Sequence, residues 1–259
     1  MIQKKVIPTL MIVLIVGVAI LLVAATNQPL PEASPGPQAI PALQDEATPV
    51  ALDERPFQLP FADPPGPDSW LLGQPYGNTI GAYYQRNTLY GASGGIHFGV
   101  DLSAKCGTEI IAIADGVIFQ VDGPFGSPPH NLMIDHPDLG YASLYGHLLE
   151  APSLRPGQQV KQGDVIALVG SSVEDCSRAP HLHLEIRDLN HFRKFNPTTL
   201  IDANWDNLAL VGGSRRGFMR NLDDPRQWQS LYDQPVVQTG GPIVNDFEST
   251  WPLDWRPRE

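Results

Sequence analysis

Two histidines separated by one residue, His181 and His183, mark the stretch of this sequence with the clearest capacity for chemistry. They lie in the run APHLHLEIR at 179–187, whose leucine and isoleucine residues are typical of a β-strand. Alternate residues of a strand point to one face, so both imidazoles would share a space while the intervening leucines face a core. Imidazole nitrogens bind metals and exchange protons near neutral pH. The stretch therefore predicts a polar, metal-capable face on a buried strand.

A second segment, GGIHFGVDLS, pairs His97 with Asp101 four positions on. In an extended segment an even offset places both side chains on one face, and both are zinc donors. With one histidine of the 181/183 pair they would make three protein ligands, leaving the fourth position to water as in catalytic zinc sites. Zinc lowers the pKa of such a water to about 7. The remaining histidine would act as general base or oxyanion donor, and His147 in SLYGHLLE is a second candidate.

The other ionisable residues near these motifs have simpler interpretations. His130 and His136 lie beside Pro and Gly turns, so we expect surface or turn residues there, and His191 follows the last β-type run, so we expect it to be exposed. Glu185 shares the face of the two histidines by strand alternation. It would either orient a metal ligand or lie solvated near the end of the strand.

The elements that must position these residues are short strands. Across residues 69–205, runs rich in β-branched and aromatic residues alternate with Gly, Asp and Pro breaks. No stretch there has a long amphipathic helical period. We therefore predict an all-β domain, an antiparallel sandwich or partly open barrel.

The N-terminal segment, residues 1–27, has a different character. Two lysines precede an apolar run at 6–25, which is long enough to span a bilayer as a transmembrane helix. The lysines favour a cytoplasmic N-terminus, which would place the rest of the chain outside the cell membrane. A cleaved signal peptide, which would release a secreted protein, is the alternative.

Two further segments are weakly patterned. Residues 28–68 are rich in Pro, Ala and acidic residues, and they predict a semi-extended linker. Residues 206–259, rich in Trp, Asn, Asp, Arg and Pro, predict a C-terminal extension to which the sequence assigns no function.

The charge balance excludes one class of partner. Lys and Arg total 17 against 28 Asp and Glu, a formal net charge of −11. A protein that tracks a phosphate backbone needs a basic stripe, so we expect no nucleic-acid binding.

The motifs HFGVD, LYGHL and HLH, in this order, resemble the signature of the M23, or LytM-type, metallopeptidases, which cut peptidoglycan cross-bridges and stem peptides. The segment PGQQVKQGDVIALVGSS between the second and third motifs also resembles that family. The resemblance implies that His97, Asp101 and His183 bind Zn²⁺. It implies that His147 and His181 are the catalytic histidines, and that the fold is antiparallel β, related to lipoyl-like barrels.

The function implied is a zinc endopeptidase of the cell envelope with peptidoglycan peptide as substrate. Some LytM-like domains instead activate a separate cell-wall amidase without catalysis, and they usually lack members of the metal set. A lipoyl or biotinyl carrier is a third possibility, but it needs an exposed lysine at a turn tip, whereas Lys161 begins a predicted strand. The loop at 80–95 is unlike the short segment that precedes the first motif in many members of the family. The sequence therefore does not define which peptide bond is cut.

The two cysteines flank the motifs. Cys106 lies five residues after Asp101, and Cys176 five residues before His181. If the two motifs converge on one metal, the cysteines come together, and an exported chain permits a disulfide. We predict a Cys106–Cys176 bridge, for which the chain-entropy model gives roughly 4 kcal/mol of stabilisation. Two free thiols and thiolate ligation of zinc are the alternatives.

Overall fold

The computed structural model of the protein describes residues 55–211 and 217–247. The strands are β1 Trp70–Gln74, β2 Val100–Ala104, β3 Glu109–Ile111, β4 Gly116–Val121, β5 His130–His136, β6 Tyr141–Leu148, β7 Gln159–Val160, β8 Val165–Leu168, β9 His181–Asp188, β10 Arg193–Phe195 and β11 Val237–Gln238. The α-helices within these residues are α1 Ile80–Tyr84 and α2 Trp205–Val211. The predicted antiparallel β architecture with little helix is confirmed.

One large sheet positions the candidate site. Its strand order is β1-β2-β9-β6-β5-β4-β7, and every pairing in it is antiparallel. Strand β10 pairs with the far end of β9, and β11 pairs with β10. Among the strands described, β1 and β7 end the order, so the large sheet is open. Strand β9 lies between β2 and β6.

Both faces of β9 are buried, and alternate residues of the strand belong to different surroundings. Leu182, Leu184 and Ile186 are fully buried in the main hydrophobic core, as the sequence predicts. The opposite face is polar but is also covered, since His183 is 4% and Glu185 0% exposed. A strand buried on both faces needs partners for every polar group on it, because an unpaired buried charge is costly.

The second sheet joins β3 to β8 and packs into the same core. Its Ile110 and Ile166 belong to the buried cluster that contains Trp70 and Tyr145 of the large sheet. The Tyr145 hydroxyl also accepts a hydrogen bond from the backbone N–H of Ile113 at 3.0 Å. The two sheets therefore share one interior.

The packed region extends beyond the predicted limits of 69–205 at both ends. Phe57, which the sequence analysis placed in the linker, is 1% exposed and forms a parallel bridge with Ile201. At the other end Val237 of β11 is 5% exposed. Single large apolar residues within proline-rich or irregular sequence have no period that a pattern search can detect, yet each fills space in a core.

The described residues include no helix with the length and apolarity needed to cross a bilayer. The predicted anchor or signal peptide at 1–27 lies outside the described residues, as do residues 28–54 of the predicted linker and the last part of the C-terminal extension, 248–259.

Candidate metal centre

The register of three strands brings the predicted ligands together. In the β2–β9 pair Asp101 lies directly opposite His183, and in the β6–β9 pair Gly146 lies opposite the same histidine. Residues directly opposite on neighbouring strands project to the same face of a sheet. His97 reaches this face from just before β2, where its backbone forms a bridge with Gly77.

Three donor atoms converge at this point. Nε2 of His97 lies 3.1 Å from Oδ1 of Asp101 and 3.2 Å from Nδ1 of His183. Nδ1 of His183 lies 2.8 Å from the same Asp101 oxygen. Tetrahedral zinc with bonds of about 2.0–2.1 Å separates its ligand atoms by about 3.3 Å. Two imidazole nitrogens and one carboxylate oxygen therefore fit a metal ion that keeps a further position open.

The other nitrogen of each of these two histidines is held by the protein. Nδ1 of His97 donates to the carbonyl oxygen of Pro75 at 2.8 Å, and Nε2 of His183 donates to Oε1 of Glu185 at 3.3 Å. Such outer hydrogen bonds fix the tautomer and the ring orientation of a metal-binding histidine. The free nitrogen of each ring is thereby directed at Asp101.

The two remaining predicted histidines follow the same rule. Nδ1 of His181 donates to the carbonyl of Ala179 at 2.8 Å, and Nδ1 of His147 donates to the carbonyl of Pro128. Nε2 of His181 lies 3.9 Å from Oδ1 of Asp101. The rings of His147 and His181 have centroids 4.8 Å apart. All five predicted residues thus meet in one place.

His147 reaches the site through a β-bulge. Gly146 and Leu148 pair with adjacent residues of β5, so His147 is an extra residue in the β5–β6 ladder. Its φ of 58° is left-handed, which is uncommon for a residue with a side chain. Regular alternation would point Gly146 toward the site and His147 away from it. The bulge redirects the imidazole to the face that carries His181 and His183.

Buried charged groups surround His183, a candidate metal ligand. Burial alone would lower its pKa, but the hydrogen bonds and charges of Asp101 and Glu185 raise the pKa of His183 to about 9. Burial would raise the pKa of Glu185, yet the Arg187 guanidinium and the His183 hydrogen bond lower it to about 2. Glu185 therefore stays ionised, and Nδ1 of His183 must release a proton before it can ligate a metal.

The pKa of His147 is shifted in the opposite direction from that of His183. Burial lowers its pKa to about 4, and nearby positive charge on His183 and His181 acts in the same direction. An imidazole with this pKa is neutral at pH 7. Since Nδ1 carries the proton that Pro128 accepts, Nε2 is the atom free to accept another.

Arg187 is a buried residue beside the candidate site that the sequence analysis missed. Its Nε and Nη2 lie 2.8 and 3.0 Å from the two carboxylate oxygens of Glu185, and Nη2 also donates to the carbonyl of Phe125 at 2.9 Å. Phe125 precedes Ser127, whose carbonyl accepts from the backbone N–H of His147 at 2.9 Å. Arg187 thus links Glu185, which bonds to His183, to the loop that holds His147. Strand alternation could have found it, because it shares a face with His183 and Glu185.

The structure excludes the solvated interpretation of Glu185, since this residue is 0% exposed. It also corrects the predictions for His136 and His191, whereas the side chain of His130 is 33% exposed. His136 is 1% exposed and bonds the carbonyl of Asp115 and the hydroxyl of Ser143, while His191 contacts the carboxylate of Asp135. His136 lies within β5, so its ring is covered although Pro and Gly residues are close to it in the sequence.

Cys106, in the turn after β2, and Cys176, in the loop before β9, form the predicted disulfide. Each cysteine is adjacent in the chain to a strand that carries site residues. The bridge therefore ties the loop that enters β9 to the turn that leaves β2, and thiolate ligation of the metal is excluded for this pair.

Three convergent donors, flanked by two imidazoles that each have a free nitrogen, are compatible with a metal centre of the kind found in metallopeptidases. The sequence profile of peptidase family M23 matches residues 95–197. All five site residues lie within that range. The chain therefore carries a peptidase family M23 domain.

Curated relatives agree with this assignment. The chain is 35% identical over 123 residues to an "Uncharacterized metalloprotease" of Haemophilus influenzae, covering 48% of this chain and 24% of that protein. It is 42% identical over 92 residues to the "DD-carboxypeptidase/endopeptidase Mpg" of Neisseria meningitidis, covering 36% and 20%. It is 36% identical over 98 residues to the "Murein hydrolase activator NlpD" of Escherichia coli, covering 38% and 24%. The chain thus matches about a quarter or less of the length of each relative.

Proposed function

We propose that this protein is a zinc-dependent endopeptidase that hydrolyses peptide bonds in the cross-links or stem peptides of peptidoglycan. The observation that carries the proposal is the convergence of two imidazole nitrogens and a carboxylate oxygen, 2.8–3.2 Å apart, beside two further imidazoles. The peptidoglycan substrate is supported by relatives whose names describe a DD-carboxypeptidase/endopeptidase and an activator of murein hydrolases.

His97, Asp101 and His183 would hold the zinc ion. A bound zinc ion supplies Lewis-acid chemistry, which polarises a carbonyl group and acidifies a water molecule. Zinc suits this donor set because it accepts both nitrogen and carboxylate ligands in a tetrahedral arrangement. Glu185 keeps Nε2 of His183 protonated and so presents Nδ1 to the metal.

His147 and His181 would handle the protons. Nε2 of neutral His147 can take a proton from the attacking water and later give it to the leaving amine. In its doubly protonated form His181, whose Nδ1 bonds to the carbonyl of Ala179, can donate a hydrogen bond from Nε2 to the oxygen on which negative charge develops. The two rings lie side by side, so these roles are exchangeable between them on geometry alone.

The N-terminal segment would place this domain outside the cytoplasmic membrane. Its two lysines and the apolar run at 6–25 support an uncleaved anchor, with secretion as the alternative. In either case the candidate site would lie on the side of the membrane where peptidoglycan is found.

Activation of a separate amidase is the second candidate function, because the murein hydrolase activator is among the relatives. An activator has no need of a metal or of proton-transfer groups. The complete set of five residues favours catalysis.

The test is digestion of purified sacculi by the zinc-loaded full-length chain, with released peptides identified by mass spectrometry. We expect peptide products that disappear with a chelator and in His183→Ala, which loses a ligand. His130→Ala is the matched control, since the ring of His130 pairs with Asp122 rather than with a site residue. Absence of products from the zinc-loaded wild type would refute the proposal. Equal stimulation of an amidase by wild type and His183→Ala would establish the activator function.

A further inference from the structure

His97 is oriented by the residues that precede α1. Its backbone N–H and carbonyl each bond to Gly77 at 2.8 Å, and its Nδ1 donates to Pro75 at 2.8 Å. The ring and the backbone of this candidate ligand are thus both held by residues 75–77. Whatever holds residues 75–77 also sets the position of His97.

Residues 217–247, which we name the C-terminal strap, hold this segment. Oε1 of Gln234 accepts a hydrogen bond from the N–H of Asn78 at 2.8 Å. Nε2 of Gln234 donates back to its own strap at the carbonyls of Trp228 and Ser230, at 2.6 and 2.9 Å. Gln234 is 6% exposed, so these bonds are shielded from water. The buried side chain therefore connects the strap to the backbone of residue 78 through hydrogen bonds.

Two further hydrogen bonds connect residues 76–78 to the strap. The hydroxyl of Tyr76 donates to the carbonyl of Pro235 at 2.7 Å, and the amide of Asn78 donates to the carbonyl of Met219 at 2.8 Å. Gly77 has a φ of 112°, and a Cβ built there would lie 2.1 Å from Oε1 of Gln234. The strap therefore packs directly against the backbone that pairs with His97.

The strap also forms hydrogen bonds with residues 94–95, which precede His97 in the chain. The amide of Asn245 donates to the carbonyl of Gly95 at 2.7 Å, and the N–H of Val244 donates to the carbonyl of Gly94 at 2.8 Å. Asn245 is 0% exposed. His97 thus lies between two segments, 75–78 and 94–95, that are both bonded to the strap.

We infer that the C-terminal strap is a positioning element for the metal ligand His97, with Gln234 as its main positioning residue. The strap lies outside residues 95–197 that match the family profile. The inference rests on the proposed function only in taking His97 as a ligand. Residues that orient a metal ligand through hydrogen bonds typically change metal affinity by about 10–100-fold when they are removed.

The experiment compares zinc affinity, measured by chelator competition on the full-length chain, in Gln234→Ala and Gln238→Ala. Gln238 is the same residue type in the same strap, but its side chain is exposed. We expect zinc affinity to fall about 10-fold in Gln234→Ala and to stay unchanged in Gln238→Ala. Turnover of Gln234→Ala should recover at saturating zinc, because His147 and His181 are untouched.

Equal zinc affinity in folded Gln234→Ala and wild type would overturn the inference, as would a loss of thermal stability with no change in affinity. If Gln234→Ala does not fold, Asn245→Ala is judged by the same criteria from the other side of His97. Hydrogen exchange of the metal-free protein separates this inference from the proposed function. Faster exchange of the His97 and Asn78 amides in Gln234→Ala supports positioning even if wild type cleaves nothing, and unchanged exchange refutes it.

Discussion

Each histidine of the candidate site has one nitrogen bonded to the protein and one facing the site. The five candidate residues could be chosen from the sequence, because strand alternation groups His181 with His183 and His97 with Asp101, and the family motifs add His147. Which nitrogen of each ring faces the site was not predictable. That choice depends on the carbonyls of Pro75, Pro128 and Ala179 and on the Glu185 carboxylate, and three of these acceptors are backbone atoms that sequence does not distinguish.

His147→Ala tests the division of labour among the histidines. We expect this variant to keep wild-type zinc affinity and to lose about 10²–10⁴-fold in kcat, the usual contribution of a general acid or base. Zinc content and turnover of a soluble peptidoglycan peptide are measured on the same samples. His130→Ala, on the neighbouring strand β5, should match wild type in both. Loss of zinc from His147→Ala would assign the residue to the metal instead.

At the scale of elements, the site depends on one irregularity in an otherwise regular sheet. The β-bulge in β6 turns His147 onto the face shared by His181 and His183. The sequence predicted strands here, but the pattern LYGHL does not reveal a bulge. A tertiary contact accompanies the bulge: a Cβ on Gly146 would lie 2.2 Å from Cβ of Ser127, so the loop that holds His147 can approach only where residue 146 has no side chain.

Gly146→Ala therefore tests the link between the bulge and the site. The added methyl group must displace Ser127 and the loop that holds His147, and overpacking of this kind costs about 1–3 kcal/mol in the free energy of unfolding. We expect lower stability in denaturant unfolding and a lower kcat with zinc retained. Gly66→Ala is the control, because a Cβ there meets its nearest neighbour, Oγ of Ser69, at an ordinary 3.6 Å.

A second substitution makes this prediction sharper. Ser127 has a φ of 55°, which glycine tolerates without strain. Ser127→Gly removes the atom that collides, so the double variant Gly146→Ala with Ser127→Gly should regain much of the lost stability and activity. Failure of the double variant to recover either property would show that the contact between Gly146 and Ser127 does not control His147.

At the scale of the whole molecule, the folded region is larger than the motif-bearing part of the chain. Phe57 lies in the core, and Gln234 and Asn245 bond to segments on both sides of His97. The sequence predicted the antiparallel domain correctly because its strands repeat a recognisable pattern. The contributions from residues 55–68 and 217–247 were not predictable, since they rest on single side chains whose partners are more than a hundred residues away in the chain.

The central claim is that His97, Asp101 and His183 hold zinc and leave a position for chemistry. X-ray absorption at the zinc edge, on the full-length protein loaded with one equivalent of zinc, tests it most directly. The account predicts a nitrogen and oxygen shell at about 2.0–2.1 Å with two imidazoles and no sulfur. His183→Ala should lose one imidazole or the ion itself. A sulfur shell near 2.3 Å, or a spectrum that His183→Ala leaves unchanged, would contradict the account.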